Sequence, residues 1–591
     1  MRARELVSRE AAAARSAKLA PDCRGLNFYD IDRSLRDLLA LYLPAELGAH
    51  LKPHFQRLGE LAGGRLDELA AIADKHPPVL HARDRFGRDE EWIEFHPAYR
   101  EMERLAFGEF GLHVLSHEPG VLGWPGKLPP LAKYAFNYLF VQAEFGLLCP
   151  VNLTESAAVL LDRFGDATLK ARYLAGMRSQ DPDLLLRAAQ FMTEKAGGSD
   201  VGAAELQAVP DGDQWRLWGE KWFCSNADAE VAVLLARPEG AVAGGRGLAL
   251  FFMPRMLPDG TRNHYRVVRL KDKLGSKSMA SGEIVFEGAV AWPLGALDQG
   301  LKQMLVMVNS SRLSHAARAA GMMRRCLNEA FQATRHRNAF GTAIIEHPLM
   351  RRQLMKLLVP TEQALSTLLY TADIAGRAET DRGARQILRL MTPVVKYRAC
   401  RDNIRVATGA LEARGGNGYI EDWVTARLVR DAHLGVIWEG TSNINALDVV
   451  RRAIGKEKAQ IDLGAELTAR LDGTPGMPGQ FRTRLETALA RAIGFAETIA
   501  AAPEHERFSR AAASALYHAT SAVLLATEGL RLGQAGGDAS RLLLARFVLE
   551  HRLATPQPFS LEGAAWEEAA ITRLLGTEPV PLGTAADLLL A

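Results

Sequence analysis

The chain of 591 residues is poor in cysteine, and this scarcity excludes two kinds of scaffold. Its 5 cysteines stand far apart, at Cys23, Cys149, Cys224, Cys326 and Cys400. The sequence contains no C-x-x-C pair, so we expect neither a disulfide framework nor a structural zinc site, and no metal. An odd number of scattered thiols fits a protein of a reducing compartment.

A long apolar run is also lacking. The longest uncharged stretch, residues 511–527, contains His518 and several hydroxyls and falls short of the roughly 20 apolar residues that span a bilayer. We predict a core helix there and no membrane association. The first twenty residues contain Glu5 and Glu10 and lack the continuous apolar core of a secretory signal. We therefore expect a cytoplasmic protein, although the basic, alanine-rich start also permits organelle targeting.

A strong excess of one charge is absent as well. The chain has 72 Lys and Arg against 69 Asp and Glu, a net charge of +3, and 48% of its residues are hydrophobic. These values are ordinary for globular proteins and exclude disorder over most of the length. At roughly 150 residues per domain, the chain has room for two to four domains.

The periodicity of apolar residues divides the chain into four parts. From about residue 30 to 188 the period is helical, with proline-rich joints at 76–102 and 123–130 that we expect to be ordered loops. After Glu194 the period becomes two, which predicts antiparallel strands ending near Pro293. Helical patterns then resume from about residue 301 to 454.

A joint rich in glycine and proline, residues 472–480, separates these helices from a last helical segment that ends near Arg552. The predicted fold class is α+β. The predicted domains are an N-terminal helical domain (1–188), a middle antiparallel β-domain (189–293), a helical bundle (294–455) and an extra C-terminal helical domain (456–591).

Several short segments combine glycines with polar side chains. The loop at 190–201, QFMTEKAGGSDV, can bring backbone N–H groups close to a polar ligand, although such a loop is more often a simple turn. The segment at 221–226, KWFCSN, sets aromatic rings beside Ser225 and Asn226, which suits a flat cofactor or a half-buried strand. The segments at 335–341 and 414–419 could receive a pyrophosphate or be a solvated face and a helix cap.

Glu439 is the strongest single candidate for a catalytic residue. It is the only charged residue between Asp431 and Asp448, and Ile437 and Trp438 precede it. Burial raises the pKa of a carboxylate toward the value that a general base needs near neutral pH. A glutamate before a glycine is, however, usually a surface residue at the end of a helix.

Taken together and in this order, these motifs resemble the acyl-CoA dehydrogenase family: MTEKAGGSDV, KWFCSN, RHRNAFG, and RGGNGY followed by IWEGTSNI. Agreement of all of them over roughly 250 residues is far more specific than any one motif. Other segments resemble the AidB branch, the alkylation-response flavoproteins, namely HPPVLHARDRFGR, IEFHPAYR, EFGLLCPVNLTES and LPDGTRN. The resemblance therefore extends over nearly the whole chain.

The resemblance implies a helix–sheet–helix flavoprotein that binds FAD and assembles as a homodimer or homotetramer. It implies contacts with FAD, some from a neighbouring subunit, at Met192, Thr193, Ser199, Phe223, Ser225, Arg337, Glu412, Gly415, Gly416, Thr441 and Asn443. It implies that Ser199 and Arg312 bind an acyl-CoA substrate. Glu412 departs from the family pattern, because a glutamine is frequent there and a carboxylate would stand near an anionic cofactor.

The implied reaction is α,β-dehydrogenation of an acyl-CoA thioester. Glu439 would be the catalytic base that removes the α proton, and the flavin would accept the β hydride. Electron-transfer flavoprotein is the implied acceptor. An acyl-CoA oxidase, which passes electrons to oxygen, and a flavin-binding protein without useful dehydrogenase activity remain alternatives.

The AidB branch is associated with DNA binding through its C-terminal domain, so DNA is a second possible partner. From Lys456 onward the chain has 13 Lys and Arg against 16 Asp and Glu, a net charge of −3. This sign disfavours duplex binding, which draws most of its affinity from cations that contact phosphates. A local patch remains possible among the arginines at 482, 484, 491, 541, 546 and 552.

Overall fold

The computed structural model describes residues 19–554 and 559–590. Its contacts separate two compact units. The sheet unit consists of Ala45–Arg318 and Val436–Asn445. The helical unit consists of the described residues up to Pro44, of Ala319–Gly435, and of those from Ala446 onward. The boundaries of the four predicted domains remain a prediction, since the division by packing crosses them.

Helices fill the first third of the chain, as the periodicity predicts. They are α1 (Arg33–Tyr42), α2 (Ala45–Gly63), α3 (Arg65–Lys75), α4 (Pro97–Glu103), α5 (Pro130–Phe140) and α6 (Leu148–Phe164). Short helical segments lie at Arg104–Glu109, Val121–Gly123, Ala167–Leu169, Lys170–Leu174 and Ala175–Met177. Proline at the first position of α4 and of α5 suits a helix start, because that N–H has no partner within the helix.

A hairpin replaces part of the first predicted loop. Strands β1 (Val79–Arg83) and β2 (Asp89–Glu94) pair antiparallel. The Asp84 carboxylate closes the turn by accepting hydrogen bonds from the N–H groups of Phe86 (2.8 Å) and Arg88 (3.0 Å). The prolines that precede this segment indicate a break in the helices but do not reveal the short alternation that forms the strands.

The central sheet has seven strands. They are β3 (Ala188–Phe191), β4 (Gln207–Asp211), β5 (Gln214–Ser225), β6 (Val231–Pro238), β7 (Ala249–Pro254), β8 (Tyr265–Leu270) and β9 (Ser281–Pro293). Their order is β3-β5-β4-β6-β7-β9-β8, with short helical turns at Val201–Ala203 and Gly245–Gly247. Most pairs are antiparallel, as predicted, but β6 pairs parallel with β3 and with β4.

Strand β6 separates two hydrophobic cores. Val231, Val233 and Leu235 pack in the core that also contains residues of α6, and the alternate residues Ala232 and Leu234 pack in the other. A strand that is buried on both faces has a continuous run of apolar residues, and residues 231–236 of β6, VAVLLA, form such a run.

Helices resume after the sheet. They are α7 (Gly300–His336), α8 (Pro348–Arg377), α9 (Arg382–Arg414), α10 (Val424–Ala432), α11 (Ser442–Leu447), α12 (Gln460–Asp472), α13 (Gly479–Ala501), α14 (Ser509–Gln534), α15 (Ser540–Val548), α16 (Ala564–Leu574) and α17 (Leu582–Leu590). Short helical segments lie at Ile344–Glu346, Gly416–Tyr419, Leu434–Val436, Asp448–Ile454, Pro503–Phe508 and Leu549–Leu553. The two-residue strands β10 (Asn338–Ala339) and β11 (Thr342–Ala343) form a hairpin.

The glycine- and proline-rich joint lies between α12 and α13, as predicted. The expected end of the helical segment near Arg552 is wrong, because α16 and α17 follow it. Residues 511–527 form the buried middle of α14, as predicted. Within residues 19–554 and 559–590, no helix combines the length and apolar character that crossing a bilayer demands.

A buried ion network joins helices of the helical unit. The Arg541 guanidinium contacts the carboxylates of Glu362 at 2.8 Å and Glu528 at 3.1 Å. Glu528 also accepts hydrogen bonds from Tyr42 at 2.8 Å and Ser366 at 2.6 Å. We call these five residues the Arg541 network. It links α1 and α8 to α14 and α15, so the C-terminal helices are integral to this unit.

Candidate active site

Glu439 occupies a strained turn of the sheet unit. It lies between the helical turn Leu434–Val436 and α11, with φ of +52°, and Gly440 follows with φ of +91°. A side chain in the left-handed region costs free energy and persists only where the surroundings hold it. Its carboxylate is half-buried, and Oε1 accepts a hydrogen bond from the Ser311 hydroxyl at 3.0 Å.

Two side chains hold the backbone of this turn. Arg312 donates from Nε to the Glu439 carbonyl at 3.1 Å. The Asn445 amide donates to the Gly440 carbonyl at 2.7 Å and to the Thr441 carbonyl at 3.0 Å. Both side chains are buried, so these bonds are shielded from water.

Trp438 forms an aromatic wall beside Glu439. Its ring meets His315 edge-on at 5.2 Å and stacks with Phe145 at 6.4 Å between centroids. The Arg318 guanidinium lies 5.7 Å from the Trp438 centroid. Trp438 also packs against the hydrophobic core that contains Cys149. The carboxylate therefore lies at the edge of a largely apolar interior.

Cys149 connects Glu439 to the sheet. The pKa of its thiol is raised to about 11, chiefly by burial; the cation of Arg318 lowers the pKa and the negative charge of Glu439 raises it. The hydrophobic core that contains Cys149 packs against Trp438, which precedes Glu439, and against Met192, a predicted flavin contact. These contacts bring the predicted base and a predicted flavin contact into one region of the sheet unit.

The aromatic flavin-contact candidate on β5 is exposed. Phe223 has 53% of its surface accessible, and Ser225 is half-buried. The Lys271 ammonium lies 3.1 Å from the centroid of Trp222 and 5.0 Å from that of Phe223. An exposed ring beside a hydroxyl is a surface that a flat heteroaromatic ring can cover.

The loop after β3 is held by a buried ion pair. Lys221 donates to the Glu194 carboxylate at 2.6 Å and to the Met192 carbonyl at 3.3 Å. A Cβ at Gly198 would lie 2.7 Å from Oγ1 of Thr193, so only glycine lets the loop fold back there. Met192 and Thr193 are half-buried and Ser199 is exposed.

The remaining candidates fall into two groups. Arg337, Glu412, Gly415 and Gly416 belong to the helical unit, whereas Thr441 and Asn443 are exposed beside Glu439. Gly415 has φ of +74°, and a Cβ there would lie 3.0 Å from Nη1 of Arg337, so the guanidinium packs directly on this turn. Glu412 accepts from Gln353 Nε2 at 3.2 Å.

Sequence reasoning missed Ser311, Asn445 and Cys149. Ser311 stands beside the predicted Arg312, and Asn445 directly follows the motif that contains Glu439, so proximity in sequence was the available signal for these two. No local pattern pointed to Cys149. Arg312 is buried against the Glu439 carbonyl, and its contact with an acyl-CoA stays a prediction.

The arginines considered for DNA are largely engaged with carboxylates. Arg482 pairs with Asp472 and Glu486, and Arg484 with Glu550. Arg541 and Arg546 also have acidic partners. Pairing neutralises the local positive potential that a phosphate backbone requires. Among the described residues, no group of three or more His, Cys, Asp or Glu is arranged to hold a metal ion.

Known families match successive parts of the chain. Residues 19–183 match the adaptive response protein AidB N-terminal domain, 189–289 the acyl-CoA dehydrogenase middle domain, and 298–454 the acyl-CoA dehydrogenase C-terminal domain. These matches leave few residues between them.

Individual proteins similar to the chain belong to the same family. The chain is 34% identical over 417 residues to the putative acyl-CoA dehydrogenase AidB of Escherichia coli, covering 69% of this chain and 74% of that protein. It is 31% identical over 456 residues to acyl-CoA dehydrogenase family member 11 of Caenorhabditis elegans, covering 75% and 73%. The crystal structure of C. elegans ACDH-11 in complex with C11-CoA superposes with a TM-score of 0.84 at 27% identity, covering 91% of this chain and 93% of that one. The chain therefore belongs to the acyl-CoA dehydrogenase family of flavoprotein oxidoreductases and carries an AidB N-terminal domain.

Proposed function

We propose that this oxidoreductase removes two hydrogens from the α and β carbons of an acyl-CoA thioester, with Glu439 as the base. The observation that carries this proposal is the position of Glu439, whose strained turn is held by Ser311, Arg312 and Asn445. Backbone strain retained at a polar side chain is typical of functional sites.

Glu439 takes the α proton. Its carboxylate must be aimed at one carbon, and the Ser311 hydroxyl fixes the direction of Oε1. Trp438 and Phe145 limit the access of water on one side, which strengthens electrostatic interactions with the thioester carbonyl. Removal of the α proton is feasible when hydrogen bonds to that carbonyl stabilise the developing negative charge.

The chain's residues fit an FAD cofactor. The exposed ring of Phe223 and the hydroxyl of Ser225 offer one face to an isoalloxazine, and the turn at Thr193 and Gly198 offers backbone and hydroxyl groups. FAD, when bound, would accept the β hydride. In a homodimer or homotetramer, a second copy of the chain would supply Arg337, which packs against Gly415. This guanidinium would bind the distal phosphate of FAD.

The electron acceptor and the location are part of the proposal. We infer that electrons pass to electron-transfer flavoprotein and that the protein works in the cytoplasm. An oxidase would instead form hydrogen peroxide in step with substrate consumption. Measuring peroxide during aerobic turnover separates these two acceptors.

The test is anaerobic titration of the FAD-loaded protein with a panel of acyl-CoA thioesters. We expect flavin bleaching in the wild type and a loss of about 1000-fold or more in the rate for Glu439→Gln, with FAD retained. Glu421→Gln, at an exposed site, is the matched control. Bleaching of Glu439→Gln at the wild-type rate would show that another group is the base.

A further inference from the structure

Helix α6 carries a polar face inside the sheet unit. Cys149, Asn152 and Ser156 stand at positions i, i+3 and i+7, so their side chains share one face of the helix. They are 7%, 3% and 3% exposed. We call these three residues the polar stripe.

The polar stripe begins at the proposed active site. Cys149 belongs to the hydrophobic core against which Trp438, the residue before Glu439, packs. Asn152 follows one turn later on the same face, roughly 4.5 Å along the helix axis. The stripe therefore leads from Glu439 into the interior of the unit, in a direction that the acyl part of a thioester can take.

Helix α5 reaches α6 through an ion pair. Lys133 of α5 forms a buried ion pair with Glu155 of α6, and only residues 141–147 connect the two helices. Asn137 is one turn after Lys133 on α5, and Asn152 is about one turn before Glu155 on α6.

Helix α7 completes the surroundings. Met304, Met307 and Val308 of α7 pack in the same hydrophobic core as Cys149. Ser311 of α7 holds the Glu439 carboxylate. The polar stripe is thus bounded by the same helix that positions the proposed base.

Several buried polar atoms of this region have no hydrogen-bond partner in the part of the chain that the structure describes. Neither Nδ2 nor Oδ1 of Asn152 has a hydrogen-bond partner among the described residues, and the same holds for Oδ1 of Asn137 and Oγ of Ser156. Buried polar groups are almost always paired, because an unpaired group loses its bonds to water without compensation. An unpaired donor and acceptor on one amide match a ligand group that both donates and accepts.

The ion pair beside Asn152 is compensated within itself. Glu155 is paired with Lys133 at one oxygen, which His117 also contacts at 2.7 Å. Burial alone would lower the pKa of Lys133, but the Glu155 carboxylate outweighs it and the pKa is raised, so both groups stay charged and cancel. This pair therefore offers no net charge to a ligand, and a neutral hydroxyl, which both donates and accepts, matches the donor and acceptor of the Asn152 amide.

We propose that Asn152, with Asn137 and Ser156, recognises a hydroxyl group on the acyl chain, so that hydroxylated acyl-CoA thioesters are the preferred substrate class. This inference rests on the proposed function, since Glu439 sets where the thioester lies. Asn152 would donate from Nδ2 to the hydroxyl oxygen and accept the hydroxyl proton at Oδ1. Plain acyl chains of equal length would leave the amide unpaired.

The test compares butanoyl-, hexanoyl- and octanoyl-CoA with their ω-hydroxylated counterparts. We expect the wild type to prefer the hydroxylated ester by about tenfold or more in kcat/KM at one chain length at least. Asn152→Leu should abolish or reverse this preference, and the milder Ser156→Ala should reduce it. The matched control is Asn403→Leu on α9, where a buried amide also has an unpartnered oxygen, and it should keep the wild-type ratio.

Two results would overturn the inference. One is equal or poorer use of every hydroxylated ester by the wild type, and the other is an unchanged ratio in Asn152→Leu. If no ester reduces the flavin, the proposed function fails. Binding then decides the inference separately, since equal shifts of the unfolding midpoint with hexanoyl-CoA and its hydroxylated counterpart would contradict it.

Discussion

Two buried polar clusters of this protein differ in how completely their groups are matched. In the Arg541 network, Glu362 and Glu528 both contact the guanidinium, and hydroxyls add further bonds. In the polar stripe, neither side-chain polar atom of Asn152 has a hydrogen-bond partner within residues 19–554 and 559–590. A matched cluster is explained by folding alone, whereas an unmatched one costs stability and calls for another explanation. The difference suggests that the network serves the fold and the stripe serves a ligand.

Removing Arg541 should have the largest effect on stability. Arg541→Met leaves Glu528 buried without its cation, so the free energy of unfolding should fall by about 3–5 kcal/mol. Chemical denaturation followed by circular dichroism measures this. Arg482→Met, which breaks exposed ion pairs, should leave the midpoint unchanged. Equal effects of both variants would show that the network contributes no more than a surface pair.

The buried Lys133–Glu155 ion pair lies next to the polar stripe, and its two charges compensate each other. This pair should make the free energy of unfolding depend on pH. Burial alone would raise the pKa of Glu155, but Lys133 and His117 outweigh it and lower the pKa to about 2. In the unfolded chain a glutamate has a pKa of about 4.3, so the stabilisation is fully present above that pH and is lost as the pH falls through about 2.

The comparison with Lys133→Met/Glu155→Met isolates this contribution. The stability of the wild type relative to the double variant should decrease by on the order of 3 kcal/mol between pH 5 and pH 2. Urea titrations at successive pH values measure the difference. A difference that is constant with pH would mean that the pKa of Glu155 is the same in the folded and unfolded states.

Ser311→Ala should affect catalysis more than stability. Loss of the hydrogen bond to Glu439 lets the carboxylate rotate, and we expect kcat/KM to fall about tenfold, or about 1.4 kcal/mol. Ser314, one turn further along α7, is buried and its hydroxyl has no partner among the described residues. Ser314→Ala is therefore the matched control, and a comparable loss in it would remove the positioning role of Ser311.

Asn152→Leu should have the smallest effect on stability. Replacing an unpaired buried amide with an apolar side chain of similar volume should change the free energy of unfolding by less than about 1 kcal/mol, in either direction. Thermal unfolding of the protein without substrate measures it. A loss as large as that of Arg541→Met would show that the amide has a structural partner, and the contrast between the two clusters would disappear.

Local patterns were sufficient for the elements that local forces determine. The change of period at Glu194 predicted the sheet, and the glycine- and proline-rich joint predicted the gap between α12 and α13. Glu439 could be singled out because it is the one charge in an apolar stretch. Its conformation could not be predicted, since φ of +52° is imposed by distant side chains on α7 and by Asn445.

Pairings between distant residues were beyond sequence reasoning. The parallel pairing of β6 with β3 and β4 depends on how the whole sheet closes. Arg541 was considered for a DNA-binding patch, because nothing near it in sequence reveals Glu362. The face of α6 that includes Asn152 gave no signal, because a buried asparagine cannot be told from an exposed one by its neighbours alone.

The distance along the chain between partners also sets an order of events during synthesis. Arg541 follows Glu362 by 179 residues, and Glu528 follows Tyr42 by 486. At a ribosomal rate of roughly 5–20 residues per second, Glu528 of α14 is synthesised roughly 25–100 s after Tyr42 of α1. The continuous part of the sheet unit, Ala45–Arg318, emerges within that interval and can fold first. The segment with Glu439, 127 residues after Arg312, then arrives at a surface already formed to receive it.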